Sequence, residues 1–155
     1  MTDDELIAML VAQEQRLVFD RFDNTDAWRL GSLLVDLAGR RSLGVAVDIR
    51  RGTQQLFHAA LPGSTADNDA WIVRKVRVVE RFAASSYLVG RRLAARGAQL
   101  DAGHGVDPAD YAAHGGAFPL LIRDVGPVGV VAVSGLPQLD DHALVVWGLR
   151  TLGQT

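Results

Sequence analysis

The stretch AAHGGAFPLLIRDVGPVGVVAVSGLPQLDDHALVVWGL, residues 112–149, decides the fold. Its segments FPLLIRD and VGVVAVSG predict two antiparallel strands that form a hairpin around Gly126-Pro127. The segment DDHALVVWGLRTL predicts a closing helix. Two glycines precede the first strand, and Ser134-Gly135 ends the second. The backbone there either turns where a side chain would clash or lets another molecule come close.

Outward from this stretch, the sequence predicts three more strands and four more helices. LVFDRF (17–22) alternates apolar and charged residues, which is typical of a short strand. GVAVDIR (44–50) and TQQLFHAA (53–60) predict a second hairpin across Arg51-Gly52. Helical spacing and capping residues predict helices over 3–15 and 23–41, after Asp67-Asn68-Asp69, and over 87–97.

The predicted element order is α-β-α-β-β-α-α-loop-β-β-α. Strands paired through tight turns favour a mainly antiparallel, five-stranded sheet with helices packed on it, an α/β (α+β) fold. Residues 98–117 form a long excursion between elements, and its length makes it a candidate functional segment or a packing flap. Asp107-Pro108 within it is typical of a helix start, with an N-cap followed by proline.

Length and composition exclude several classes of protein. A chain of 155 residues fits one domain spanning 1–155, and its formal net charge of −2 gives no electrostatic reason to expect nucleic acid or membrane as partner. The absence of cysteine excludes disulfides and thiol chemistry. The acidic N-terminal segment lacks the features of a signal peptide, so we expect a cytoplasmic protein. No histidine spacing typical of a metal site occurs, so we predict no metal.

The glycines of the opening stretch have two interpretations. Gly115 and Gly116 present backbone N–H groups to an anion, with Ser134 adding a hydroxyl beside Gly135, or they satisfy tight turns and close strand–helix packing. Asp141 lies at the start of the closing helix, where an acid favours the helix dipole.

Two histidines are candidates for chemistry. His58 alternates with apolar residues on a predicted strand, and His114 borders the double glycine. Either is a candidate haem-iron ligand or a group for acid–base chemistry near neutral pH, and a lone histidine on a strand is also a common structural residue.

Arginines form the remaining candidate site. Arg50 and Arg51 lie at a predicted hairpin tip, where they fit a carboxylate or phosphate clamp or an ion pair with Asp48. The basic residues of the predicted helix near residue 75 are expected mostly on its solvated face; they are Arg74, Lys75, Arg77 and Arg81.

Two long segments resemble a known family. VAVDIRRGTQQLFHAALPGSTADNDAWIVRK (45–75) with RFAASSYLVG (81–90) resembles an uncharacterised branch of the haem-degrading HbpS/GlcG-like superfamily. HGGAFPLLIRDVGPVGVVAVSGLPQLDDHALV (114–145) resembles the broader superfamily pattern. The resemblance implies a profilin-like fold with a central antiparallel sheet, and it implies homo-oligomers.

The resemblance also carries over individual residues. The superfamily pattern matches Gly115, Gly116, Ser134, Gly135 and Asp141. The branch pattern matches a larger polar and aromatic set: Asp48, Arg50, Arg51, His58, Asp67, Asn68, Asp69, Trp71, Ser85, Ser86 and Tyr87.

Three functions follow as hypotheses. The first is an oligomeric small-ligand-binding protein with haem, or another tetrapyrrole, as the leading named ligand, held by His58 or His114. The second is a non-catalytic module that binds a small anion through Arg50 and Arg51, or a partner protein. The third is a small-molecule enzyme of unknown type with Asp48 or His58 as base.

Overall fold

The computed structural model describes residues 1–154. The helices are α1 (Asp3–Arg16), α2 (Asn24–Arg40), α3 (Ala66–Phe82), α4 (Ser86–Ala95) and α5 (Gln138–Gly153), with a short 3₁₀ turn at Ala102–His104. The strands are β1 (Val18–Phe19), β2 (Ala46–Arg51), β3 (Gln54–Ala60), β4 (Ala117–Ile122) and β5 (Gly126–Ser134). This order of elements is the predicted one.

The five strands form one sheet in the order β1-β4-β5-β2-β3. The short β1 pairs with β4 in parallel, and the other neighbours are antiparallel. The fold class is therefore confirmed as an α/β (α+β) fold with a central, mainly antiparallel five-stranded sheet flanked by helices.

Helices cover both faces of the sheet. On one face α2 and α5 pack over Val47 and Ile49 of β2, within the larger hydrophobic core. On the other face α3 packs over a smaller core that includes Ala46 of β2 and Ala132 of β5. Since successive residues of β2 point to opposite faces, Asp48 shares the α3 face and is buried there.

The β4–β5 turn lies three residues earlier than predicted. The turn is formed by residues 123–125, where Asp124 has a left-handed backbone with φ of 62° and Val125 donates from its N–H to the carbonyl of Ile122. Gly126-Pro127 begins β5 instead of forming the turn. Proline has no N–H for the ladder, and the strand pairing shifts register between Leu120 and Leu121, beside it.

The predicted helix start at Asp107-Pro108 is wrong. The Asp107 carboxylate accepts a hydrogen bond from the N–H of Ala109, and the backbone carbonyl of Asp107 accepts one from the N–H of Asp110. These two bonds form a single turn that does not continue into a helix. The segment returns to the body of the protein through Ala112, whose N–H donates to the carbonyl of Arg74. No helix within residues 1–154 is long and apolar enough to cross a membrane.

Candidate functional site

A cavity of about 280 Å³ opens where β5 ends and where α3 and α5 begin. We call it the β5 pocket; its lining is Asp67, Asn68, Trp71, Lys75, His114, Ser134, Gly135, Leu136, Gln138 and Asp141. Four of the lining residues are sequence candidates for a site, His114, Ser134, Gly135 and Asp141. Three more, Asp67, Asn68 and Trp71, match the branch pattern of the family resemblance. Gly115 and Gly116 do not line it, but each packs against a lining residue, Gly115 against Gln138 and Gly116 against Lys75.

The glycines bring the walls of the pocket together. At Gly116, which has φ of 137°, a Cβ would collide with the carbonyl oxygen of Val133 and come within 2.7 Å of the Lys75 amine. At Gly115 a Cβ would collide with the carbonyl oxygen of Gln138, and at Gly135 it would collide with that of Gly44. These three glycines thus allow close backbone approaches that shape the pocket, which is the packing interpretation of the sequence pattern.

An ion pair forms the buried end of the pocket. The Lys75 amine lies 3.1 Å from Asp141 Oδ2 and 3.2 Å from the carbonyl oxygen of Val133. Asp141 Oδ1 accepts from the N–H of Leu136 at 3.0 Å. Burial lowers the pKa of Lys75 and raises the pKa of Asp141, and the contact between the two charges opposes both shifts.

Lys75 was expected on the solvated face of its helix, and that prediction is wrong. Its side chain is 4% exposed, because α3 turns it toward the end of β5, where Asp141 offers a partner. A signal for this was present in the composition. Of the 16 Lys and Arg residues of the sequence, Lys75 is the single lysine.

Two side-chain amides line the pocket with their carbonyl oxygens already engaged. Asn68 Oδ1 accepts from the N–H of Thr65 at 2.8 Å, at the start of α3. Gln138 Oε1 accepts from the N–H of Gly115 at 3.0 Å, at the start of α5. Each amide keeps its NH₂ group as a hydrogen-bond donor for a ligand.

His114 lies exposed at the mouth of the pocket. Its ring lies 5.4 Å from the ring of Trp71, and the Arg74 guanidinium covers the same indole at 4.7 Å. Desolvation lowers the pKa of His114, and the positive charges of Lys75 and Arg74 lower it further. The imidazole is therefore neutral at physiological pH and accepts a proton or a hydrogen bond.

Three other sequence candidates, Asp48, Arg50 and Arg51, lie further along β2 and outside the lining of the β5 pocket. Ala46 pairs with Ser134 beside the β5 pocket, and Arg50 is four residues further along β2, about 13 Å away. Arg50 Nε donates to Asp48 Oδ2 at 2.6 Å, and the amide of Gln55 donates to the other Asp48 oxygen. Arg51 is partly exposed. Within residues 1–154 its one side-chain hydrogen bond runs from the guanidinium Nη2 to Gln54 Oε1 at 3.5 Å.

The structure thus favours the ion-pair interpretation of Arg50 over a clamp. A second cavity, of about 240 Å³, borders Arg50. The carboxylate of Glu80 lines this cavity and opposes an anion there. We call the group of Asp48, Arg50 and Gln55 the Asp48 cluster.

His58 lies outside the β5 pocket, on β3, where it is the cross-strand partner of Asp48. Its Nε2 lies 2.7 Å from Asp69 Oδ1, so this contact links β3 to α3. His142 is buried against Tyr87 and Phe118, and its Nε2 lies 2.7 Å from Gln13 Oε1. Burial lowers the pKa of His142 to about 4.

Other features of residues 1–154 lie away from the sequence candidates. No group of three or more potential metal-ligating side chains occurs in that part of the chain. Another cavity, of about 600 Å³, lies between α1, α4 and the β4–β5 turn and is lined mostly by apolar residues. It contains none of the candidate site residues.

The sequence is similar to a family model and to proteins of known sequence. The family model described as "Haem degrading protein HbpS-like" matches residues 22–150. A UPF0303 protein of Streptomyces coelicolor is 60% identical over 149 residues, which cover 96% of this chain and 94% of that protein.

Solved structures agree with the fold. The Ybr137w protein has a TM-score of 0.87 at 30% identity, covering 96% of this chain and 87% of the other. A structure described as a PduOC:haem complex has a TM-score of 0.70 at 16% identity, covering 83% of this chain and 93% of the other. At that lower identity the likeness shows the fold alone.

Proposed function

This chain belongs to the haem-degrading HbpS-like family, and within it we propose that the protein binds a compact, oxygen-rich small molecule in the β5 pocket. The observation that carries the proposal is the pair of amides, Asn68 and Gln138. Each is held by a backbone N–H on its oxygen, and each keeps its NH₂ group as a donor in the same cavity. Such donors select oxygen acceptors in a ligand.

The other lining groups complement the amides. Lys75 uses two of its three N–H bonds on Asp141 and Val133, which leaves one donor for a ligand. The carboxylate of Asp67 and the neutral ring of His114 supply acceptors for hydroxyl groups. A ligand with several hydroxyl, carbonyl or carboxylate oxygens satisfies this set.

Haem does not fit the β5 pocket. The macrocycle is a broad apolar plate, whereas the cavity of about 280 Å³ has Trp71 and Leu136 as its large apolar side chains and polar groups elsewhere. Drug-sized ligands occupy roughly 300–1,000 Å³ of mostly apolar lining. His58 also lies outside this cavity, on Asp69. The haem-related name of the family therefore does not decide the ligand of this chain.

A direct binding experiment distinguishes compact, oxygen-rich ligands from haem. The chain is titrated with D-glycerate, with dihydroxyacetone and, separately, with hemin, and its melting temperature and Soret absorbance are recorded. We expect a saturable rise in melting temperature with at least one compact compound. Asn68→Ala and Gln138→Ala should reduce this rise at a given ligand concentration, whereas Arg51→Ala, at the other end of β2, should leave it unchanged.

Either of two results would overturn the proposal. One is a melting temperature that no compact compound changes. The other is a saturable Soret band that disappears in His114→Ala, because that result would make the exposed imidazole an iron ligand and haem the ligand of this chain.

Self-association, which the family resemblance implies, is a separate proposal. Trp28 of α2 is 65% exposed and packs edge-on against Phe57, which lies on the edge strand β3. An exposed aromatic beside an open sheet edge supports assembly at this surface. Light scattering should give a mass of more than one chain for the wild type and a smaller mass for Trp28→Glu; a monomeric wild type contradicts the proposal.

A further inference from the structure

Lys75 is an unusual lysine for an ordinary structural ion pair. The chain uses arginine for every other basic residue except histidine, so its single lysine is also its single buried ammonium group. Arginine offers five donors in a rigid fork, whereas lysine offers a compact amine that can lose its proton when buried. A lysine at this position therefore gives the pocket a chemical property that arginine lacks.

Access to the amine comes from the cavity. Lys75 lines the β5 pocket, whereas on the side of Gly116 the amine is closely packed, since a Cβ there would come within 2.7 Å of it. Asp141 lies 3.1 Å from the amine and His114 lines the same cavity, so a carboxylate and a neutral imidazole are both available for proton transfer. An amine, an acid–base pair and a small polar cavity together match the requirements of imine chemistry.

We propose that Lys75 reacts with the carbonyl carbon of a small hydroxylated aldehyde or ketone held in the β5 pocket and forms an imine. This proposal rests on the proposed function of that pocket and adds a ligand class to it, hydroxycarbonyl compounds. The hydroxyl groups of such a ligand meet Asp67 and the amides of Asn68 and Gln138, and its carbonyl points to the amine.

The reaction balances without any further reagent. Asp141 takes one proton from the ammonium, and the free amine of Lys75 adds to the carbonyl carbon to give a carbinolamine. The new C–N bond then becomes a double bond as the hydroxyl leaves as water, with its proton supplied by Asp141 or through His114. Ammonium and carbonyl thus give a protonated imine and water, so the positive charge stays beside Asp141.

Chemical trapping of the imine tests whether Lys75 reacts with a carbonyl compound. The native protein is incubated at neutral pH with dihydroxyacetone and sodium cyanoborohydride, which reduces an imine to a stable secondary amine. Peptide mapping by mass spectrometry then separates an adduct on Lys75 from one on the N-terminal amine, which is the other primary amine of the chain. The same mixture in denaturing urea provides the reference rate for an unperturbed lysine.

We expect the adduct on Lys75 to form faster in the native protein than in urea, because burial lowers the pKa of this amine and so raises its neutral, reactive fraction at neutral pH. Gln138→Ala, which keeps the lysine and weakens the pocket, should slow the native reaction toward the urea rate. The matched control Arg51→Ala should react like the wild type.

The outcomes distinguish the imine from the pocket itself. If dihydroxyacetone raises the melting temperature but the adduct stays on the N-terminal amine, the imine proposal is overturned and the binding pocket stands. If neither D-glycerate nor dihydroxyacetone raises the melting temperature and Lys75 forms no adduct, both proposals fail. An adduct on Lys75 that forms no faster in the native protein than in urea also overturns the imine proposal.

Discussion

The two ends of the central sheet each carry a buried aspartate paired with a base, and they differ in what surrounds the pair. At the Asp48 cluster, Arg50 and Gln55 occupy both oxygens of Asp48, and Arg50 reaches partly into solvent. At the β5 pocket, the Asp141–Lys75 pair lies at the bottom of a polar cavity whose amides keep free donors.

The difference separates a structural ion pair from a candidate site. Both aspartates are 1% exposed, so burial alone does not identify the functional one. The distinguishing property is whether neighbouring polar groups are fully used. A closed hydrogen-bond network fixes the local geometry, whereas unused donors around a cavity are available to a ligand.

The largest expected effect comes from breaking the Lys75–Asp141 pair. Lys75→Met leaves the Asp141 charge buried without its partner, and we expect the free energy of unfolding to fall by about 3–5 kcal/mol in urea denaturation. Asp48→Asn should cost less, about 1–2 kcal/mol, because Arg50 is 32% exposed and can turn to water. Equal losses at both ends would contradict the distinction drawn between them.

The next effect concerns acid and the helix that carries Asp141. His142 is neutral in the folded protein because burial lowers its pKa from 6.5 to about 4. As the pH falls below 6.5, His142 therefore takes up a proton in the unfolded chain before it does so in the folded protein. The stability that this group contributes above pH 6.5 is lost as the pH falls toward 4. The loss corresponds to about 3 kcal/mol from this group.

The test compares the wild type with His142→Gln. Urea denaturation at several pH values between 7 and about 4 should show a loss of stability that is smaller in the variant by roughly this amount. Parallel pH profiles of the two proteins would show that His142 is not the source of the acid sensitivity.

A smaller effect distinguishes two glycines with left-handed backbones. Gly116→Ala places a Cβ against Val133 and Lys75, whereas Gly126→Ala, at φ of 106°, meets no atom within 4 Å. Both substitutions strain the backbone, and only the first also overpacks the pocket. We expect Gly116→Ala to cost about 1–3 kcal/mol more than Gly126→Ala in thermal or urea unfolding. Similar losses would show that Gly116 serves the backbone conformation alone.

Much of this fold follows from the sequence. Hydrophobic periodicity and turn residues predict the order of all the helices and strands, since each element buries a face that its own pattern defines. The position of the β4–β5 turn was missed, because Gly126-Pro127 is typical of a turn and in fact lies in β5 beside a register shift. The Asp107-Pro108 turn was missed because an N-cap residue also closes isolated turns.

The candidate site was predicted only in part. Glycine and serine at the end of β5 marked its wall, but no local pattern joins Asn68 and Gln138, which lie on different helices. Lys75 was assigned to solvent because helical spacing does not report a partner 66 residues away along the chain. Long-range pairing of polar residues requires the tertiary structure, whereas helices and strands do not.

The smallest expected change in stability accompanies a large change in binding. Gln138→Ala leaves the N–H of Gly115 without its acceptor, so we expect a loss of about 1 kcal/mol in unfolding. Affinity for a compact ligand in the β5 pocket should fall at least about tenfold by calorimetry, as expected for one lost hydrogen bond of about 1.4 kcal/mol. Unchanged affinity would remove Gln138 from the ligand site.

Hydrogen–deuterium exchange with and without dihydroxyacetone locates the ligand site, because it reports on the whole backbone without assuming a site. Binding in the β5 pocket should slow exchange in residues 66–71, 113–116 and 134–138 and leave residues 48–55 unchanged. Slower exchange confined to residues 48–55 would place the ligand at the Asp48 cluster and exclude the β5 pocket as its site.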